Sequence, residues 1–320
     1  MTVNVMTFPD IVHAERQIFQ YDSDHELGRF SFGDQESPKI GDGLEIDGLR
    51  DYVPGDDARH IDWLASAKRP DGGLFVRQHY ADQVPLTVLI SDIPTEKRYS
   101  NTPGNPLSAQ SLGFVVCYSA LKSAVNIGSP LFGAWTDGYI SDYKPRGLEG
   151  PKAPEIIINA GIESATRSAE LNLKAQESAK KVGLLRKKAT PFIMPEDETL
   201  ADLIDRTAKQ AKLITDAARF IIVSDFRAGT DDAVQALSEI GRRSDVITVQ
   251  ITNPLLRELP ASASVFQGEK QGVIIESEQQ RVLYAQKAAI KQARIDELLK
   301  QVSVKTVKID TMDPKIARVA

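Results

Sequence analysis

Apolar residues recur along this chain in two rhythms, short unbroken runs and longer stretches spaced by three to four, and the two alternate. Residues 86–90 are a run of Leu, Thr, Val and Ile that reads as a strand buried on both faces, ending at Ser91 and Asp92. Residues 108–125 place Leu112, Val115, Val116, Ser119 and Ala120 on one helical stripe, and Gly128-Ser129-Pro130 closes it. Residues 130–144 predict a strand pair about the Asp137-Gly138 turn signal, and residues 155–159 a further strand. Residues 161–188 lack proline and carry Glu163/Arg167, Glu170/Lys174 and Glu177/Lys181 in the favourable i,i+4 order, which predicts a long helix stopped by Pro191 and Pro195. A helix follows over 197–218, then a second buried strand at 220–223 that again ends in Ser-Asp, at Ser224 and Asp225. Helices over 230–243 and 279–302 and strands at 245–251, within 265–275 and at 303–310 complete the alternation. Strands separated by helices of this length form βαβ units, so the expected fold is α/β, a mostly parallel sheet flanked by helices.

The first 83 residues follow neither rhythm. Residues 1–40 are polar and irregular, with weak periodicity around 11–19, and read as an N-terminal arm. Residues 41–83 are rich in Gly, Asp and Arg around short β-type pieces at 44–46 and 74–80, a small β-rich module. The expected division is therefore an arm (1–40), this module (41–83), an α/β domain (84–311) with a helical insertion at about 161–189, and a tail (312–320).

Composition narrows the class. With 320 residues, 42% hydrophobic and 26% charged, the chain is ordinary globular protein. A net charge of -5 argues against a general nucleic-acid binder. The longest apolar stretches run for about seven residues against the ~20 a bilayer requires, so no membrane insertion is expected. The N-terminus lacks a leader pattern and the single Cys117 has no partner for an intrachain disulfide, which predicts a cytoplasmic protein.

Two features carry chemistry. Asp92 and Asp225 both stand at carboxyl ends of buried strands, where ligands gather in open α/β sheets. Each either caps the turn that follows or, if the strands are neighbours, joins the other in holding a hard cation such as Mg²⁺. The segment 48–63, GLRDYVPGDDARHIDW, gathers Arg50, Asp51, Asp56, Asp57, Arg59, His60 and Asp62 around a Pro54-Gly55 turn. Two arginines among four acids favour an ion-pair network over a metal cluster, and Trp63 reads as a core anchor. The basic run 174–188 is either a solvated helix face or a surface for an acidic partner. No G-x-S-x-G, Walker or G-x-G-x-x-G motif occurs, which points away from an enzyme.

The stretch 41–80, GDGLEIDGLRDYVPGDDARHIDWLASAKRPDGGLFVRQHY, resembles the signature of the domain of unknown function 58 family. The resemblance continues through the strand ending in Asp92, FIIVSDF at 220–226 and DVITVQITNPLLRELP at 245–260, and covers roughly residues 40–311. It implies a von Willebrand factor A-like, Rossmann-like α/β domain, commonly found beside MoxR-type AAA+ ATPases and thought to serve them as adaptor or co-chaperone for client proteins. Such domains carry a metal-ion-dependent adhesion site built from a D-x-S-x-S loop, a Thr and a later Asp. Here the first loop reads Asp92-Ile93-Pro94-Thr95-Glu96, so both serines are replaced and Glu96 stands in for the second. Thr199 and Asp225 match the other two loops, giving a degenerate Mg²⁺ set of Asp92, Glu96, Thr199 and Asp225. Arg50, Asp56, Asp57, Arg59, Asp62 and Trp63 form the signature itself, as partner or structural residues.

The function this implies is a non-enzymatic adaptor acting with a MoxR-type ATPase. The alternative is a metal-dependent hydrolase or phosphatase using Asp92 and Asp225. A third reading is an assembly subunit binding an anionic ligand through Arg50, Arg59 and the 174–188 face.

Overall fold

The computed structural model describes residues 6–19, 40–80, 85–92, 108–135, 148–185, 199–214, 218–227, 230–253, 257, 265–267, 272–274, 277–302 and 304–311. Two compact units divide the chain, one comprising Phe32–Pro85 and the other Met1–Ser31 with Leu86–Ala320.

The smaller unit pairs β1 (Ile40–Asp51) with β2 (Phe75–Tyr80) in antiparallel register, interrupted by irregularities between Gly41 and Gly48. Between the strands lie a 3-10 turn at Ala58–His60 and the short helix α2 (Trp63–Ser66).

In the larger unit the five strands of the main sheet pair in parallel: β3 (Leu86–Asp92), β4 (Leu131–Trp135), β5 (Ala218–Ser224), β6 (Asp245–Thr252) and β9 (Lys305–Asp310). Their order is β4-β3-β5-β6-β9. The chain thus leaves its first strand in one direction, returns, and builds outward on the other side. This is the 2-1-3-4-5 doubly wound pattern, whose switch point lies between β3 and β5. β7 (Val265–Gln267) and β8 (Gly272–Ile274) form a separate hairpin.

Helices cover both faces, as unbroken apolar strands require. α3 (Ala109–Asn126) and α4 (Ala153–Leu185) pack on one side with α1 (Phe8–Phe19), while α5 (Leu200–Ile214), α6 (Thr230–Gly241) and α7 (Glu278–Gln301) pack on the other. The core under the second group joins Leu86, Val88 and Ile90 of β3 and Phe220 and Ile222 of β5 to Leu203, Leu237 and Leu298 of the three helices. The α/β expectation is met by this five-stranded parallel sheet flanked by helices.

Three expectations need correction. Residues 155–159 are not a strand: α4 begins at Ala153 and runs through them. The run of three isoleucines at 156–158 reads locally as β, but Ala153, Pro154, Ile157, Ile158, Gly161, Ser164 and Ala165 are the buried positions, a helical repeat. Tertiary packing fixes the outcome, because a Cβ on Gly133 of β4 would lie 2.3 Å from Ile157 Cγ2, and one on Gly161 would lie 2.5 Å from the Trp135 ring. The supposed arm contains α1, whose Ile11, Ala14, Glu15 and Ile18 are buried at helical spacing. Lys122 of α3 donates to both Glu15 carboxylate oxygens at 3.0 Å, and Phe8 meets Tyr118 edge-on with centroids 5.4 Å apart. Trp63 is not a core anchor, since it is 64% exposed. The Asp137-Gly138 turn, the tail and the basic residues 186–188 lie outside the described residues.

Candidate functional site

The parallel register places Asp92 opposite Ser224 across the β3–β5 pair, so the two strand-end aspartates, Asp92 and Asp225, meet at the carboxyl side of the switch point. Both are buried, Asp225 at 3% exposure. The Ser224 hydroxyl donates to Asp92 Oδ2 at 3.2 Å and accepts from the Phe226 amide at 3.0 Å. Asp225 Oδ1 accepts from the Arg227 amide at 2.9 Å. One serine therefore ties one acid to the other acid's loop.

That loop is under backbone strain. Phe226 has φ 54°, the left-handed region, which a bulky residue adopts only when its surroundings hold it there. What holds it is visible: its ring is fully buried in the core beside Phe220 and Leu237, and its carbonyl accepts from the Thr230 hydroxyl at 2.6 Å. The turn drives Phe226 inward and leaves Asp225 and Arg227 at the sheet's rim.

A chain of amides extends the site sideways. Gln250, buried toward the carboxyl end of β6, donates to the Asp225 carbonyl at 3.4 Å, and Gln292 of α7 donates to Gln250 Oε1 at 3.3 Å and to Asp296 at 2.8 Å. Lys308 of β9 closes on Asp296 at 2.7 Å. Tyr284, half-buried on α7, has its phenol pushed upward by burial, an effect that the Arg227 charge opposes. The amide chain escaped the sequence reading, although Gln250 within a run of mostly β-branched residues was a legible signal.

Of the other two predicted ligands, only Thr199 lies among the described residues. Thr199 is exposed, and its hydroxyl donates to Asp202 at 2.6 Å and accepts the Asp202 amide at 3.2 Å, capping α5. Glu96 lies outside the described residues. Among the described residues no three His, Cys, Asp or Glu side chains gather as metal ligands. Mg²⁺ asks for near-octahedral oxygen coordination. Among the described residues the predicted set brings together Asp92 and Asp225, each with one carboxylate oxygen accepting a protein proton, while Thr199 turns to its own helix. Cys117 is no nucleophile here, since burial pushes its thiol up to about 12.

In the smaller unit the signature charges pair with one another. Val53-Pro54-Gly55-Asp56 is a tight turn in which Gly55 has φ +113° and the Asp56 amide donates to the Val53 carbonyl at 3.0 Å. Arg50 grips Asp56 with two bonds of 2.6 Å, and Asp56 also accepts the Val53 amide at 2.8 Å. Asp57 caps the 3-10 turn and binds Arg59 at 2.6 Å. Asp62 caps α2 through the Ala65 amide at 2.9 Å and binds Arg77 at 3.0 Å. Arg69, which the sequence reading passed over, bridges Asp51 and Asp71 and lies 4.4 Å over the Phe75 ring. The Arg50 guanidinium holds Asp56, the Arg59 side chain holds Asp57 and Arg69 holds Asp71 each at about 2. The segment is an ion-pair network rather than a metal cluster.

A doubly wound α/β sheet with two aspartates at its switch point, preceded by a small charge-knit β unit, defines the class of protein. Residues 48–144 match the sequence family described as protein of unknown function DUF58. No curated protein matches the chain. Among solved structures, an uncharacterized membrane spanning protein from Vibrio fischeri is similar over 72% of this chain and 93% of that one, at 9% identity and a TM-score of 0.21, too low to carry an argument. No described helix is long and apolar enough to cross a membrane.

Proposed function

We propose that this chain is a non-enzymatic adaptor of the von Willebrand factor A-like kind, a cytoplasmic co-chaperone that works with a MoxR-type AAA+ ATPase in the assembly or maturation of protein complexes. The observation that supports this best is the convergence of Asp92 and Asp225 at the β3/β5 switch point, where such domains build the surface that meets a partner. In this reading the site is a degenerate adhesion site. Ser224 stands where a cation would by donating a hydrogen bond to Asp92, and the strained Phe226 turn fixes the rim that a partner contacts. The ion-pair network within residues 50–77 supplies a second epitope.

The test is affinity capture from lysate of the source organism with the tagged full chain, with nucleotide, in Mg²⁺ and in EDTA, read by mass spectrometry. The expected result is recovery of a MoxR-type ATPase in both conditions and its loss with Asp92→Ala/Asp225→Ala. Recovery of no such ATPase under any condition would overturn the proposal. Recovery abolished by EDTA would replace the degenerate site with a metal-loaded one.

A further inference from the structure

The outward face of α7 carries a feature that the strand-end site does not use. Val282, Leu283 and Ile290 are 48%, 51% and 71% exposed, while Ala288, Ile295, Leu298 and Leu299 hold the opposite face in the core. At 100° per residue Val282, Ala289, Ile290, Ala293 and Leu283 share one face, which Gln286 alone interrupts between Val282 and Arg294, and Lys287, Lys291 and Arg294 line one of its edges. From Val282 to Arg294 the sequence contains no carboxylate, in a chain whose net charge is -5. Arg294 reaches Asp231 of α6 at 3.0 Å and approaches Glu297 at 3.7 Å. Lys287 and Lys291 pair with no carboxylate among the described residues. Between α7 and the start of α6 lies a hollow of about 370 Å³, lined by Thr230, Asp231, Lys287, Ile290 and Arg294.

We infer that α7 is a docking surface for an acidic amphipathic helix of a partner protein, its apolar face laid on Leu283 and Ile290 and its carboxylates set against Lys287 and Lys291. Charge decides the occupant: the lysine edge attracts carboxylates and repels a basic helix, and the apolar stripe gives the helix a face to bury. The stripe spans about 18 Å at 1.5 Å per residue, some three turns of a partner helix. The inference deepens the adaptor function proposed above and rests on it, because α7 is wired to the Asp225 loop through Gln292, Gln250 and the Arg227–Tyr284 interaction.

The experiment places p-benzoyl-phenylalanine at Ile290 in the full chain, irradiates in lysate, and maps the crosslinked peptide by mass spectrometry. A net-negative peptide with apolar residues at i, i+3, i+4 and i+7 is expected, with yield reduced at least tenfold by Lys287→Glu/Lys291→Glu. Those substitutions are on exposed positions, and an unchanged melting curve confirms that the fold is intact. Crosslinks to a basic or non-helical segment, crosslinks only to a second copy of this chain, no crosslink, or a yield indifferent to charge reversal would each overturn the inference. The two proposals fail separately. Capture of the ATPase without a crosslink at Ile290 removes the α7 surface and leaves the adaptor, whereas an acidic-helix crosslink without capture of the ATPase does the reverse.

Discussion

The seat of α4 on β4 is the point at which the structure departs furthest from local sequence preference, and Gly133→Ala probes it. The new methyl would lie 2.3 Å from Ile157 Cγ2, whereas carbon atoms settle at about 3.5–4.0 Å. One partner must retreat by more than about 1 Å, and Ile157 is 1% exposed with fully buried Ile158 beside it. An alanine in a strand ordinarily gains about 0.5–1 kcal/mol over glycine by restricting the unfolded chain. Overpacking costs about 1–3 kcal/mol or more and outweighs that gain. The net loss of about 1–2 kcal/mol corresponds to a fall of roughly 2–8 °C in the melting midpoint of a domain of this size. Differential scanning calorimetry of Gly133→Ala, Ile157→Ala and the double variant separates the terms. Ile157→Ala alone leaves a cavity costing about 2–5 kcal/mol, and the double variant is then more stable than the sum, because the added methyl enters the space vacated. A neutral or stabilising Gly133→Ala, or strictly additive variants, would refute the close seating and with it the helix over 153–165.

Gly55→Ala forces a β-carbon into a φ of +113° and is expected to cost on the order of 1–3 kcal/mol, read as faster hydrogen exchange across residues 50–62; unchanged protection would contradict the turn assignment. Asp56, Asp57 and Asp71 are held at about 2 against an unfolded value of 3.8, so their stabilisation is present above pH 4 and lost as pH falls through about 2. Pulse-labelled exchange of residues 50–76 after equilibration at pH 5 and pH 2 should show protection lost only at the lower value. Ser224→Ala removes the donor to Asp92 and the acceptor for the Phe226 amide, and is expected to cost about 1–3 kcal/mol by denaturant titration; an unchanged midpoint would sever the link between the two acids. Phosphatase and nuclease assays with Mg²⁺ or Mn²⁺ should show no turnover. Turnover that disappears in Asp92→Asn would install the hydrolase reading in place of the adaptor.

The larger unit was legible wherever burial is uniform. Residues 86–90, 220–223 and 245–251 could only be central strands, and the structure extends each by a residue or more. The convergence of Asp92 and Asp225 depended on β3 and β5 being neighbours, which periodicity does not encode and strand order supplies. Residues 155–159 misled because three isoleucines favour a strand locally, while two glycines, Gly133 and Gly161, leave room for a helix that only the tertiary arrangement reveals. The signature read as an ion-pair network because arginines stood among the acids. Its tryptophan misled because size suggests burial, yet Trp63 follows the Asp62 cap on a helix of one turn and faces outward. Thr199 was assigned by resemblance to a family loop, whereas its local chemistry, three residues before Asp202, is that of a helix cap.

The account stands or falls on the strand-end surface acting through protein contact. The most direct measurement is the binding of the purified full chain to a purified MoxR-type AAA+ ATPase, by biolayer interferometry with ATP, in Mg²⁺ and after nucleotide-compatible chelation, for the native chain and for Asp92→Ala/Asp225→Ala. The account predicts binding that persists without the divalent ion and weakens at least tenfold in the double variant. Absence of binding in every nucleotide state, or equal binding by the native chain and the variant, would contradict it.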